Sequence, residues 1–390
     1  MRRFAFPLLA YAFAAVMVGT TVPTPMYAVY AERLGFGVLT TTVVFAGYTA
    51  GVLFALVVFG RWSDALGRRP MLLAGVGCAI VSALVFLIAG SVPQLIAARF
   101  VSGMSAGIFT GTATAAVIEA APERRRSRAA AVATVANIGG LGAGPLLAGI
   151  LVQYAPWPLH LTFWVHIVLM VLAAAAIAVA PETSPRTGRH GVQRLSLPPQ
   201  VRKVFAIASL AAFAGFAVTG LFTAVAPSFL AEVIGVRNHA VAGAVAASIF
   251  AASAVTQVLG ASVSPRRAVA VGCALLIVGM VFLAAALVWS SLPALIATAV
   301  VAGAGQGLSF SRGLAAVSAR TPSDQRGEVS STYFVVAYVA LLVPVIGEGW
   351  AAHHWGLRTA GISFAVGVAV LAIGCLIAIL IQESRDPQAI

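Results

Sequence analysis

Arg99 stands inside an otherwise apolar run, Leu95-Ile96-Ala97-Ala98-Arg99-Phe100-Val101-Ser102-Gly103. Counting from the nearer end of that run, it lies roughly 8 Å deep at about 1.5 Å per residue. A guanidinium at that depth is costly enough to indicate substrate or ion handling, although a long side chain can also reach back to the surface. Arg312, nearer the end of its own apolar stretch, suits that second reading. Groups able to change charge during a cycle are few: Glu348, Glu32, His166 and Glu119, of which His166 also fits a hydrogen-bonded packing role. Asp64 is a carboxylate in a loop of cations, Gly60-Arg61-Trp62-Ser63-Asp64-Ala65-Leu66-Gly67-Arg68-Arg69-Pro70. Its natural partners are neighbouring Arg side chains and a helix N-terminus. No His-Asp-Glu cluster, Ser-His spacing or Gly-Lys-Ser/Thr nucleotide loop stands out, so neither an enzyme nor a self-contained ATPase is indicated. Cys78, Cys273 and Cys375 lie in apolar surroundings that suit packing better than disulfides or metal ligands, and no cofactor is implied.

The elements that hold these residues must be membrane helices. Of the 390 residues, 61% are apolar and 9% charged, against about a quarter charged in soluble domains. Stretches long enough to span a bilayer, about 20 residues each, fall near 8 to 30, 39 to 59, 70 to 90, 94 to 118, 128 to 154, 159 to 180, 203 to 231, 240 to 262, 267 to 289, 292 to 317, 328 to 351 and 357 to 381. The first is read as a retained helix despite its Met1-Arg2-Arg3 start, because it is long enough to span. The net charge of +13 could suggest nucleic acid, but location argues otherwise. Apart from Arg33, Arg237 and Arg358 on the opposite side, and Arg99 and Arg312 within spans, the other 19 of the 24 Lys and Arg residues cluster at alternate loops and ends. That bias places both termini in the cytoplasm.

The chain also repeats itself. Residues 91 to 126 align without a gap on 291 to 326, with 13 of 36 positions identical, including Pro93 with Pro293, Gly103 with Gly303, Gly107 with Gly307 and Arg126 with Arg326. The expected fold is therefore an all-α membrane protein of 12 transmembrane helices in two pseudo-symmetric six-helix bundles, residues 1–180 and 203–390, joined by a proline- and arginine-containing cytoplasmic linker at 181–202.

The loop from Gly60 to Pro70 resembles the signature loop of the major facilitator superfamily, and specifically its 12-helix drug and metabolite antiporters. The resemblance implies a conformational latch formed by Gly60, Asp64, Gly67, Arg68 and Arg69, with Glu119 in the same charge cluster and Asp64 engaging the region from Gly327 to Ser331. The second-half loop keeps Arg266 and Arg267 but has no acid. In the fifth span, Gly140, Gly144, Pro145 and Gly149 form a small-residue, proline-bent face. This is similar to the family's antiporter motif, although Ala131 and Ala148 stand where its fullest form has glycine.

In the exporters of that family an Arg at the position of Arg99 is linked to proton or substrate handling. Many of them place an acid in the first helix, where this chain offers Thr20, Thr21, Thr24 and Tyr27. The expected substrate and proton pathway comprises Arg99, Thr24, Tyr27, Phe213, Phe216, Phe222, Gln306, Ser309, Phe310, Glu348 and His166, aromatic faces with few polar groups. The implied function is proton-coupled efflux of small amphipathic drugs or metabolites by a monomer in a bacterial cytoplasmic membrane. Alternatives are proton-coupled uptake of a small, anionic solute, and a receptor or scaffold that keeps the fold without transporting.

Overall fold

In the computed structural model the described residues are 2–187 and 191–385. Arg189 of the linker lies outside them, as do the side chains of Arg2, Arg3, Arg125, Arg126 and Arg385. Among the described residues there are no strands, and 12 helices are long and apolar enough to cross a membrane. They are α1 (Phe4–Thr21), α2 (Val38–Phe59), α3 (Arg68–Leu87), α4 (Val92–Glu119), α5 (Arg128–Tyr154), α6 (Leu161–Val179), α7 (Pro199–Ala224), α8 (His239–Ser262), α9 (Pro265–Val288), α10 (Leu292–Arg320), α11 (Arg326–Trp355) and α12 (Leu357–Ile381). Large apolar side chains such as Val81, Trp164, Val171, Val281 and Val370 face outward with half or more of their surface open. Such a surface suits lipid, and the chain is a multi-pass membrane protein.

Two expected spans are interrupted, and proline explains both. The first expected span, 8 to 30, divides into α1 and a short helix at Tyr27–Leu34. Between them lie Pro23 and Pro25, which offer no backbone N–H; tight turns fill the gap, with Thr24 N donating to Thr21 O at 3.0 Å and Met26 N to Pro23 O at 3.0 Å. The seventh, 203 to 231, likewise stops at Ala224, and Pro227 lies in a short turn at Ala226–Ser228 that passes into a π-helix at Phe229–Ile234.

The chain forms two compact units. The first comprises Met1–Phe36, Val43–Gln193 and His239–Ala247; the second comprises Gly37–Thr42, Arg194–Asn238 and Ser248–Ile390. Within the first, α1 packs on α4, α5 and α6, and α3 packs on α4 and α6. Within the second, α7 packs on α10, α11 and α12, and α9 packs on α10 and α12. The internal repeat thus reappears as a repeated packing scheme.

Paired glycines make close helix contacts in both units. A methyl group on Gly103 of α4 would overlap the Tyr48 carbonyl of α2, and one on Gly303 of α10 would overlap the Ile249 carbonyl of α8. Gly107 meets Val52 O at 2.8 Å from the position a Cβ would take, while Gly307 takes up the corresponding place against Ser253. Helices without a hydrophobic driving force between them gain from such close backbone approach. Gly103→Val and Gly303→Val should each destabilise the protein by about 1–3 kcal/mol through overpacking, lowering the thermal midpoint in detergent. Gly77→Ala, where nothing lies within 4 Å, should leave the midpoint in place. Equal midpoints for all three variants would contradict the packing scheme.

Candidate functional site

Arg99 is 1% exposed, so its charge is satisfied inside the first unit or not at all. Its Nη1 donates to the Thr20 carbonyl at 2.6 Å, and Nε has no hydrogen-bond partner. Thr20 is the second-last residue of α1, where a helix leaves carbonyls without intrahelical partners; Pro23 and Pro25 just beyond it end the helix. Aromatic faces supply the rest. The guanidinium carbon lies 4.5 Å from the Tyr48 ring centre, 5.7 Å from Phe45 and 5.9 Å from Tyr27. Each contact of this kind contributes about 0.5–2 kcal/mol, more when dry. Gly47, on the facing side of α2, lies beside this part of α4: a Cβ there would sit 3.1 Å from the Ile96 carbonyl and 3.6 Å from Arg99 Cβ.

Near this cage the Tyr27 hydroxyl is buried without a partner, and Thr24 is also buried. His166 of α6 is 4% exposed with Nδ1 unpartnered, and its ring occupies the space a side chain on Gly19 would need. It borders a cavity of about 10 Å³ with Thr20, Ser82, Ser102 and Ser105, about the room one water requires.

Arg68 organises the loop at the start of α3. Its Nη1 meets Asp64 Oδ1 at 2.6 Å and Ser63 Oγ at 2.7 Å, while Nη2 and Nε meet the Glu119 carboxylate at 3.0 and 3.4 Å. This forked geometry belongs to arginine and not to lysine. The Thr183 hydroxyl donates to Glu119 Oε2 at 2.6 Å. Gly67 has φ 110°, a conformation that side chains with a Cβ disfavour. Glu182, which sequence reasoning did not single out, receives Arg68 N at 2.8 Å and Arg69 N at 3.1 Å, capping α3. Burial opposes its charge, but the N–H groups of Ser184, Arg68, Arg69 and Thr183 outweigh that and hold the carboxyl below the ordinary 4.5.

The glycines of α5 divide between two partners. Gly140 and Gly144 meet the backbone of α1 at Ala14 and Val18, and Thr21 Oγ1 donates to Leu141 O at 2.8 Å. Gly149 instead meets His239 and Gly243 at the start of α8, and Pro145 O also faces Gly243. In the second unit, Phe216 and Phe310 meet edge to face at 4.8 Å, and Phe310 stacks on Tyr333 at 5.5 Å. Gln306 Oε1 accepts from Ser253 Oγ at 2.7 Å. Ser309 and Phe222 are fully buried, the former against Gly272. Phe213 and Glu348 border a separate cavity of about 300 Å³.

A sequence model of the Major Facilitator Superfamily matches residues 9–286 and 208–389. The chain belongs to this superfamily. Among curated proteins it is similar to the multidrug transporter MdfA of Yersinia pestis bv. Antiqua (strain Angola), 31% identical over 199 residues, which is 50% of this chain and 47% of that protein. The MdfA of Escherichia coli O157:H7 is 31% identical over 201 residues, 50% of this chain and 46% of that one. The match thus spans about half the length of these relatives. Among solved structures, a bacterial homolog of the human lysosomal transporter Spinster superposes with a TM-score of 0.75 at 17% identity, covering 97% of each chain. The human organic anion transporter MFSD10 gives 0.66 at 17% identity, covering 96% of this chain and 99% of that one. Both likenesses are of fold.

Removing the cap should be felt as stability. Glu182→Gln should cost about 1 kcal/mol, as lost helix caps do. A carboxyl held low in the folded state contributes stability above pH 4.5 that is lost as pH falls through its folded value. The wild-type thermal midpoint should therefore decline more steeply below pH 4.5 than that of Glu182→Gln. Parallel declines would show that Glu182 does not cap α3.

Proposed function

We propose that this member of the superfamily is a secondary transporter that expels small amphipathic drugs or metabolites in exchange for protons, from the cytoplasmic membrane of a bacterium. The observation that carries the reading is Arg99, a buried permanent cation held by one carbonyl and three aromatic faces with its Nε unpartnered. A charge kept at such expense serves a moving solute or ion. The sequence similarity to multidrug transporters supports amphipathic compounds as cargo.

In this account residues 1–180 and 203–390 are two bundles that rock about a central site, with the 181–202 linker and both termini cytoplasmic. Asp64 acts as one half of a latch whose other half is the start of α11, from Gly327 to Ser331. Arg68 presents Asp64 for that role and Glu119 steadies Arg68. The small faces of α5 at Gly140, Gly144 and Gly149 set how closely α1 and the start of α8 approach. Glu348, Glu32, His166 and Glu119 are the groups able to carry the proton.

The uptake of a small anion is the second reading, favoured by the cationic character of the Arg99 cage and by the lack of an acid in α1. Expression in a drug-sensitive bacterial host separates the two. Efflux predicts lower accumulation of amphipathic compounds, restored by an uncoupler, whereas uptake predicts uncoupler-sensitive accumulation of an anion. Accumulation unchanged by expression for every compound would remove the transport reading. Asp64→Asn should alter the rate at which a membrane-impermeant thiol reagent labels a cysteine introduced at Thr24, and an unaltered rate would rule out the latch.

A further inference from the structure

Glu348 of α11 is 4% exposed, and its Oε1 has no hydrogen-bond partner. An ionised carboxylate buried without a partner costs far more than one lost hydrogen bond, so a cation must accompany it or the charge must go. The carboxyl borders the cavity of about 300 Å³ lined by α7, α11 and α12, all within the second unit. Phe213, Pro344, Phe364 and Leu371 give apolar walls, and Ser363 adds one hydroxyl. Two glycines keep the space open: at Gly347 and at Gly367, nothing lies within 4 Å of the position a Cβ would take. Both glycines are themselves exposed, so the cavity has its mouth on the surface of this unit.

The chemistry of this cavity selects its occupant. One carboxylate and one hydroxyl fall short of the six or more oxygens that a hard metal ion demands. An anion would meet the carboxylate. A volume near 300 Å³ is at the lower end of small-molecule sites, and ring faces attract organic cations.

We propose that the cavity between α7, α11 and α12 is a binding site for a lipophilic organic monovalent cation, an ammonium or phosphonium whose charge rests at Glu348 and whose body lies against Phe213 and Phe364. The site takes its purpose from the transport reading, for which it names a substrate class, but binding itself requires neither a gradient nor turnover. It is separate from the Arg99 cage, which belongs to the first unit.

The test is equilibrium binding of tritiated tetraphenylphosphonium to the purified full chain in nanodiscs, with empty nanodiscs subtracted. Saturable binding is expected for the wild type and for Val366→Leu, whose side chain is 58% exposed and outside the cavity wall. Glu348→Gln removes the charge and should weaken binding about tenfold or more, the value of one charged contact. Gly367→Leu fills the open space with Glu348 intact and should weaken it comparably. Both variants are compared with the wild type by size-exclusion profile and thermal midpoint, and Gly347→Leu replaces either one that misfolds. No saturable wild-type binding, or wild-type affinity in the folded variants, would overturn the proposal. A chain that moves no solute yet binds the probe through Glu348 and Gly367 would retain this site and lose only the transport reading.

Discussion

The first unit is arranged around the cost of burying one permanent positive charge. A guanidinium carries its charge wherever it is placed, so the surroundings of Arg99 must supply what water would have. They do so from three directions. The C-terminal end of α1 offers the Thr20 carbonyl, α2 offers Phe45 and Tyr48, and the short helix after α1 offers Tyr27. Each supply imposes a condition on the chain. The prolines at positions 23 and 25 terminate α1 just past the carbonyl that Arg99 uses, and Gly47 lets α2 lie close to the Ile96 carbonyl of α4, one turn before Arg99. Nε is left without a hydrogen-bond partner.

Close backbone contact is the second constraint, and it is shared by both units. Gly103 and Gly303 sit at equivalent places in α4 and α10, and each faces a carbonyl of the neighbouring helix. Lipid offers no hydrophobic reward for pairing apolar helices, so the interfaces depend on small residues that let main chains meet. The same need explains why α5 carries glycines on more than one side: Gly140 and Gly144 serve α1, while Gly149 serves the start of α8.

Much of the fold was legible because membrane helices announce themselves by length and apolarity. The paired Gly103 and Gly303 were visible as an internal repeat before their contacts were known. The breaks at Pro23 and Pro227 were not placed, since proline also occurs within helices, as Pro145 and Pro344 do here. In the charged loop, a carboxylate among cations pointed to Asp64 pairing with arginine, the family resemblance added Glu119, and the structure holds both carboxylates on Arg68. Glu182 escaped notice because it meets Arg68 across 114 residues, and its partners at the start of α3 are backbone N–H groups that leave no mark in a sequence. Tyr48 and Phe45 were missed for a similar reason: aromatic residues in an apolar span look like packing until the cation beside them is located. Glu348 was legible as an isolated acid, but the space beside it comes from Gly347 and Gly367, which a sequence shows only as two more small residues.

Under the proposed function, the buried charge of Arg99 is required for solute movement and is not merely tolerated by the fold. Reconstituted proteoliposomes test it directly, with an imposed pH gradient and a panel of amphipathic compounds, comparing the wild type with Arg99→Ala at matched protein content and confirmed folding. Gradient-driven movement of at least one compound is expected for the wild type, and movement at the level of empty vesicles for the variant. Transport by Arg99→Ala at the wild-type rate would contradict it.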